Sequence, residues 1–264
     1  NETIGSIAGT AGTINLGSSI LTAGGDNTST TFSGTFGTTG TFTRVGTGTL
    51  TLTSATVTNT PTLTNNGALG TVEIAADAGF GTINFTAGTV DFAAGGTVSA
   101  VMAGAGPGRI SAGTTVIPIN QSGYSGTLTQ TAGNLSFSAT GNLGGGATVI
   151  TNSPQTLNFD PTPSNSYAFT ITGDGEITKT GGNTATLTGN LLGYLGDFTV
   201  TAGILQLDSV PPATATAAVA GQLNVNATMT LAGLTGTGTV DVANTPVTLT
   251  FNPTGGVTVS NVFT

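Results

Sequence analysis

The sequence predicts an all-β fold, a single-stranded parallel β-helix of about eleven coils. Three observations predict it: the composition, a period-two alternation and an internal repeat. Of the 264 residues, 43 are Gly, 5% are charged and none is Cys, His or Trp. Globular domains have about 25% charged residues and about 7% Gly, and disordered chains usually carry high net charge. Small interior residues and a neutral, hydroxyl-rich surface therefore indicate stacked β-structure.

Apolar residues alternate with Thr or Asn through short runs along the whole chain. Examples are residues 47–53, 81–85 and 246–251, and each run ends near Gly, Asn or Pro. Alternation with period two, bounded by turn residues, is typical of β-strands. The best helical candidate, residues 210–221, contains Pro211 and Pro212. The sequence therefore predicts strands only.

A repeat suggests how these strands are arranged. Three segments align without gaps around a central Thr-Ala-Gly, namely residues 81–92, 126–137 and 196–207. The intervals between their central glycines, Gly88, Gly133 and Gly203, are close to two and three units of about 23 residues. A unit of that length holds three short strands, so the repeat predicts a solenoid in which one unit forms one coil.

Three Pro-, Gly- and Ala-rich stretches interrupt the repeat. They are residues 103–109, 153–165 and 209–220, and we expect them to be loops or longer corners. Because the repeat resumes after each stretch, they do not read as linkers. We expect residues 1–264 to form a single β-helix domain.

Two segments carry a family resemblance. Residues 44–53, Arg-Val-Gly-Thr-Gly-Thr-Leu-Thr-Leu-Thr, resemble the passenger-associated repeat of bacterial autotransporters, Lys-x-Gly-x-Gly-x-Leu-x-Leu. Residues 176–190 look like a second copy of it. Arg44 stands where that repeat has Lys, and residues 97–170 match poorly. The resemblance implies a right-handed parallel β-helix displayed on a bacterial surface, and it brings no catalytic residues.

The composition excludes several functional classes. Without His or Cys the chain has no Ser-His-Asp or Cys-His nucleophile, and no His or thiolate metal site. No phosphate-binding Gly-rich motif is present. The three basic residues are Arg44, Arg109 and Lys179, and the net charge is −8. We therefore expect no binding to nucleic acid or to anionic membrane surfaces, and no insertion into a membrane.

Paired carboxylates leave one enzymatic alternative. Asp174 and Glu176 flank Gly175, and Asp197 follows Asp174 by about one unit of the repeat, so a coil of that length would align the two aspartates. Carboxylates at that separation suit glycoside hydrolysis, and Asp174 and Glu176 with backbone carbonyls suit Ca²⁺. A solvated turn around Asp174 explains the same residues. We predict no catalytic, cofactor-binding or metal site.

Thr and Tyr residues suggest two binding alternatives. One is an ice-binding array at Thr47, Thr49, Thr51 and Thr53 and at Thr184, Thr186 and Thr188. The repeat is too irregular to keep Thr-x-Thr at one phase in every coil, so these residues read as plain strand formers. The other is a sugar-stacking surface at Tyr124, Tyr167 and Tyr194, and core packing is the simpler interpretation of these tyrosines.

Together these patterns predict a function. We expect a secreted, structural or adhesive bacterial surface protein, not an enzyme, that self-associates end to end through open β-helix edges. The first and last coils, residues 3–16 and 248–264, would supply the edges. Host or matrix glycans are further candidate partners. The chain begins at Asn1 without Met or signal peptide, so we interpret it as a mature or excised piece of an exported protein.

Overall fold

The all-β prediction is confirmed. The structure, a computed structural model, describes residues 1–53, 56–57, 60–74, 79–242, 246–252 and 262–263. Within these residues the regular structure consists of strands, and every assigned strand pair is parallel. The contacts group the chain into two compact units, Asn1–Ile117 with Gln121–Gly133, and Pro118–Asn120 with Asn134–Thr264. Each unit is a β-solenoid, and together they contain about 12 turns.

The strands are short, and most have three or four residues. Up to Gly133 they are β1 (Glu2–Thr3), β2 (Thr13–Asn15), β3 (Ile20–Ala23), β4 (Thr30–Phe32), β5 (Thr35–Gly37), β6 (Thr41–Arg44), β7 (Thr49–Leu52), β8 (Thr56–Val57), β9 (Thr62–Asn65), β10 (Thr71–Ile74), β11 (Thr82–Phe85), β12 (Thr89–Phe92), β13 (Gly96–Thr97), β14 (Val101–Gly104), β15 (Gly108–Ile110), β16 (Thr114–Ile117), β17 (Asn120–Gln121) and β18 (Thr127–Gln130). Beyond Gly133 they are β19 (Asn134–Ala139), β20 (Asn142–Leu143), β21 (Thr148–Ile150), β22 (Thr156–Pro161), β23 (Asn165–Tyr167), β24 (Thr170–Thr172), β25 (Glu176–Lys179), β26 (Thr184–Leu187), β27 (Phe198–Val200), β28 (Ile204–Leu207), β29 (Thr216–Val219), β30 (Gln222–Val225), β31 (Met229–Leu231), β32 (Gly233–Gly236), β33 (Thr239–Asp241), β34 (Leu249–Phe251) and β35 (Val262–Phe263).

Strands in the first unit stack into parallel sheets, each taking about one strand from every turn. Sheet S1 has the order β1-β3-β6-β9-β11-β14, and sheet S2 within this unit has the order β4-β7-β10-β12-β15-β18. Sheet S3 has the order β2-β5-β8, and β13 pairs with β16. Successive strands of one sheet are separated by strands of the other sheets, which is the winding of a β-helix.

The second unit repeats this plan. Sheet S4 has the order β19-β22-β25-β27-β29-β32, and sheet S5 has the order β23-β26-β28-β30-β33-β35. Two shorter pairs, β21 with β24 and β31 with β34, belong to the same unit.

Turn length varies more than the sequence repeat suggests. Ala217 pairs with Leu234, which closes one of the shorter turns, whereas Val240 pairs with Phe263, which closes a clearly longer one. Most turns are shorter than the expected unit of about 23 residues, so the chain makes about 12 turns where about eleven were expected.

The Thr-Ala-Gly repeat marks corners, not whole coils. Residues 131–133 precede β19, and residues 201–203 lie between β27 and β28. Strand β19 belongs to the same sheet, S4, as β27, whereas β28 belongs to S5. The second and third copies therefore occupy different corners, and the interpretation that they repeat at one phase of the coil is wrong. Different corners of a β-helix need similarly tight turns, so one motif can serve several of them.

Interiors of both units follow the alternation. Strands such as β7, β9 and β25 alternate half-buried outer residues with buried inner ones. Aromatic side chains enlarge the core in clusters. In the first unit Phe36 contacts Phe32, Phe42 and Phe80, with ring centroids 5.3, 5.1 and 5.7 Å away. Edge-on and tilted ring contacts of this kind add to the burial of apolar area.

The stretches expected to be irregular are partly regular. Residues 156–161, inside the expected loop 153–165, form β22, which pairs with both β19 and β25. Residues 103–109 overlap the ends of β14 and β15, and residues 216–219 form β29. Pro is compatible with a strand terminus, as at Pro161, so a Pro-rich stretch does not exclude a strand. That the chain is a single domain stays a prediction.

Candidate functional site

The three candidate carboxylates lie together at one surface groove of the second unit. The groove has a volume of about 440 Å³. Its lining residues are Ser153, Pro154, Asp174, Glu176, Asp197, Phe198, Thr199, Thr216 and Ala218. Sheet S4 supplies most of them, through β25, β27 and β29. The sequence prediction that these acids share one surface is therefore correct in outline.

Their alignment differs from the expected one. Ile177 pairs with Phe198, so the residues before them, Glu176 and Asp197, are neighbours on adjacent turns. Asp174 lies in the turn before β25, after Gly173 at φ 97°. The expected alignment of Asp174 with Asp197 is wrong because this turn, measured from Ile177 to its partner Phe198, is shorter than the expected unit of about 23 residues.

Each of the three carboxylates accepts a hydrogen bond from an adjacent turn. Asp174 Oδ1 accepts the backbone N–H of Ser153 at 2.9 Å, and Glu176 Oε1 accepts the Thr199 hydroxyl. Asp197 Oδ1 accepts both the backbone N–H (2.9 Å) and the hydroxyl (2.7 Å) of Thr216. Each acid therefore links its own turn to an adjacent turn through a hydrogen bond. In the described part of the chain, no cluster of three or more acidic side chains could hold a metal ion.

Two of the three basic residues are buried and hold corners together. Arg44, at the end of β6, is 2% exposed and donates to the carbonyls of Gly46 and Gly48. Lys179, at the end of β25, is 0% exposed. Its Nζ donates to the carbonyls of Thr180, Gly181 (2.9 Å) and Ala202 (3.4 Å). Burial lowers the pKa of Lys179, and Asp160 acts in the opposite direction.

Two buried amide side chains also donate hydrogen bonds to corner carbonyls. Asn65 Nδ2 donates to the carbonyls of Gly70 (3.3 Å) and Thr89 (2.8 Å), and Gln130 Nε2 donates to Gly133 (3.1 Å). We call Arg44, Asn65, Gln130 and Lys179 the corner caps. Each ends its strand at an inward position, and each donates to a carbonyl of a Gly-containing corner.

The corner caps were not predicted from the sequence, although the sequence contains a signal for them. In the run Ile177-Thr178-Lys179 the lysine has the same period-two phase as the inward Ile177, and Arg44 has the phase of Phe42. Arg44 and Lys179 have the same role at their corners, because each side chain donates to carbonyls that follow it in the chain.

The third basic residue is paired on the outer face of sheet S2. Arg109 Nη2 lies 2.6 Å from Asp91 Oδ2, which also accepts the Ser111 hydroxyl at 2.9 Å. This ion pair raises the pKa of Arg109. Glu73 stands beside Asp91 on the neighbouring strand. Sheet S2 therefore carries a charged row in which the arginine already has a partner.

All three tyrosines lie in the core, which rules out the sugar-stacking surface. Tyr124 and Tyr194 are 0% exposed and Tyr167 is 1% exposed. The Tyr194 hydroxyl accepts the Ile177 N–H at 2.9 Å and donates to the Asp197 carbonyl at 2.5 Å. Burial raises the pKa of each tyrosine.

Thr residues align in columns on several sheets, and the longest column in the described chain lies on S1 beside a second one. In the arrays expected from the sequence, Thr51 pairs with Glu73 on the next strand of S2, and Thr184 pairs with Ile204 in S5. Neither array therefore continues as Thr-x-Thr pairs into the next turn. On the outer face of S1, by contrast, Thr residues align over consecutive turns in two columns. The column nearer the strand starts is Ile20, Thr41, Thr62, Thr82 and Val101, and the other is Thr3, Thr22, Thr43, Thr64, Asn84 and Ala103. The irregularity expected from the sequence therefore holds for the proposed arrays but not for S1.

The described residues thus present an acidic groove on S4, a charged row on S2 and two aligned Thr columns on S1. They include no helix of the length and apolarity that would cross a membrane. Comparison of the chain with protein-family models, with curated proteins and with solved structures finds no match.

Proposed function

We propose that this chain is a structural or adhesive protein of the bacterial surface, similar to autotransporter passengers, that self-associates through the edges of its β-solenoid. The proposal rests on the passenger-like segments, on a fold held by backbone ladders and corner caps, and on the pairing of the chain's three basic side chains. An extended ladder resists local unfolding because each turn is supported by its neighbours. We propose that it is secreted and has no catalytic role.

The proposal of self-association rests on the unpaired strand edges of the first turn. Within the described chain β1 pairs only with β3, and β2 pairs only with β5. Ile4 and Ile20 near this edge are 41% and 42% exposed. Unpaired strand edges with apolar neighbours are templates for pairing with another chain. Of the last coil, residues 253–261 and 264 lie outside the described residues, so we name only the first edge.

Strand β2 offers a sharp test of this edge. The Gly12 carbonyl and the Leu16 N–H both bond to β5. In a parallel ladder, alternate residues of a strand bond to the same neighbouring strand, so the backbone N–H and C=O of Thr13 face away from β5. Thr13→Pro removes that outward N–H, whereas Thr13→Ala keeps it. We expect concentration-dependent fibres from the parent and from Thr13→Ala, and short particles from Thr13→Pro, by negative-stain electron microscopy and light scattering. A parent that stays monomeric at every concentration would contradict the proposal.

Glycoside hydrolysis is a second candidate, favoured by one observation. Glu176 begins β25 and Asp197 directly precedes β27, so the two lie at neighbouring positions of adjacent turns, and adjacent strands are about 4.8 Å apart. Retaining glycosidases hold their two carboxyl groups about 5–5.5 Å apart.

A glycan panel separates this candidate from the structural role. We expect the parent to release no reducing ends from any polysaccharide, because both acids already accept hydrogen bonds from Thr side chains. Asp197→Ala is expected to lower the free energy of unfolding by about 1 kcal/mol through loss of the bonds to Thr216. If the parent depolymerises a glycan and Asp197→Asn stops it, the chain is an enzyme.

A further inference from the structure

The centre of the outer face of sheet S1 carries a small grid of Thr hydroxyl and methyl groups. Thr41 with Thr43 and Thr62 with Thr64 form complete Thr-x-Thr pairs on neighbouring strands. Thr22 and Thr82 extend the two columns on either side. The four Thr of the complete pairs are half-buried, so their side chains lie close together on the pleated surface.

Backbone geometry fixes the dimensions of this grid. Neighbouring strands lie about 4.8 Å apart, and residues two apart on one strand lie about 6.6 Å apart. The spacing between strands is close to the shorter repeat of water oxygens on a prism face of hexagonal ice, and the spacing along a strand is somewhat below the longer repeat. A rigid ladder keeps them constant over several turns, whereas threonines on a loop or helix would not hold such a lattice.

The chemistry of the face selects a neutral ligand. None of the eleven side chains in the two columns is charged, although the chain as a whole has a net charge of −8. The aromatic residues of these strands, Phe42 and Phe85, are 0% exposed. A crystalline polysaccharide would be expected to use exposed aromatic rings, and an ionic ligand would need opposite charge. Neutral hydroxyls beside methyl groups instead complement an uncharged, hydrogen-bonding lattice.

From this match we infer that the S1 face binds ice. The hydroxyls take positions in the outermost layer of the lattice, and the methyl groups order the water between the columns. The inference is independent of self-association, which uses the edges of the strands and not this face.

Sheet S2 of the same unit provides a matched control. Its outer face also carries Thr49, Thr71 and Thr89 in one column, but Glu73, Asp91 and Arg109 follow in the neighbouring column. Asp91 is 1% exposed, but Glu73 and Arg109 bring charge to the surface of this face, where charged groups hold their own hydration and break the neutral grid. The same substitutions on S2 should therefore leave ice binding unchanged.

Ice-affinity partitioning and thermal hysteresis test the inference. We expect the parent to enter a slowly growing ice hemisphere and to depress the freezing point below the melting point. Thr43→Lys with Thr64→Lys should abolish both effects, and Thr49→Lys with Thr71→Lys should retain them. Circular dichroism and thermal melting check each fold, and Thr43→Leu with Thr64→Leu replaces the first pair if it does not fold.

Three outcomes would overturn the inference. One is a folded parent that is excluded from ice, as an ordinary soluble protein is. Another is an equal loss in the S1 and S2 variants, which would separate the effect from the grid. The third is adsorption to crystalline cellulose or chitin without partition into ice, which would identify a glycan-binding face instead.

Discussion

Replacing Phe159 by Ala is expected to lower the free energy of unfolding by about 3–5 kcal/mol, the usual cost of emptying a buried aromatic site. Phe159 is 0% exposed and stacks on Phe137, its partner on the neighbouring turn, at 5.6 Å and 16°. Tyr167 and Phe169 complete the cluster, with centroids 4.5 and 6.5 Å away. Rigid ladders on both sides prevent the turn from collapsing into the space.

Urea unfolding followed by tyrosine fluorescence and circular dichroism measures this loss. Phe159→Leu is the matched control, because it removes less volume and should cost clearly less than the Ala variant. Since each turn of a solenoid is stabilised mainly by its neighbours, the Ala variant should also weaken protection from hydrogen exchange first in β19, β22 and β25. Equal losses from the Leu and Ala variants would contradict the cavity argument.

The fold class could be predicted because its cause is local. Residues 49–52 and 176–179 alternate outer and inner side chains as their sequences indicate, and both form strands. In a parallel β-helix the strands bond to turns on either side, so a period-two pattern without helical stretches leaves few other folds.

Register could not be predicted, because it depends on turn length. Corners of different size make the turns unequal, as the pairings of Ala217 with Leu234 and of Val240 with Phe263 show, so a fixed period drifts out of phase within a few turns. This drift misplaced Asp197 opposite Asp174, although the neighbour of Asp197 is Glu176. It also concealed the aligned Thr columns on S1, which become visible only when the pairing is known.

The corner caps lie between these two cases. Their phase was readable, since Lys179 follows the inward Ile177 at the next inward position. The charge of Lys179 favoured an exposed position instead, because Lys is almost never fully buried unless it has partners. The partners are backbone carbonyls of the corner, and a sequence does not show which carbonyls a corner leaves without a donor. The local alternation was therefore a better guide than the usual preference of the residue type.

Lys179→Met is expected to lower the free energy of unfolding by about 2–3 kcal/mol, because a buried carbonyl left without a donor costs about 1–3 kcal/mol. Methionine has a similar length and fills the same interior space, so the change removes the ammonium group with little change in packing. The carbonyls of Thr180, Gly181 and Ala202 lose their shared donor, and the desolvation cost of the buried charge disappears with it. The net loss is therefore smaller than the sum over three carbonyls.

The other corner caps indicate which replacements of Lys179 should be tolerated. Arg44 serves two carbonyls at its own corner, so Lys179→Arg should retain most of the stability. Gln130 donates to the Gly133 carbonyl through its amide, so Lys179→Gln should fall between the Arg and Met variants. Thr178→Ala, on the outer face of the same strand, controls for effects on β25 itself. If Met is as stable as Lys, water satisfies these carbonyls and the buried basic residue does not hold the corner.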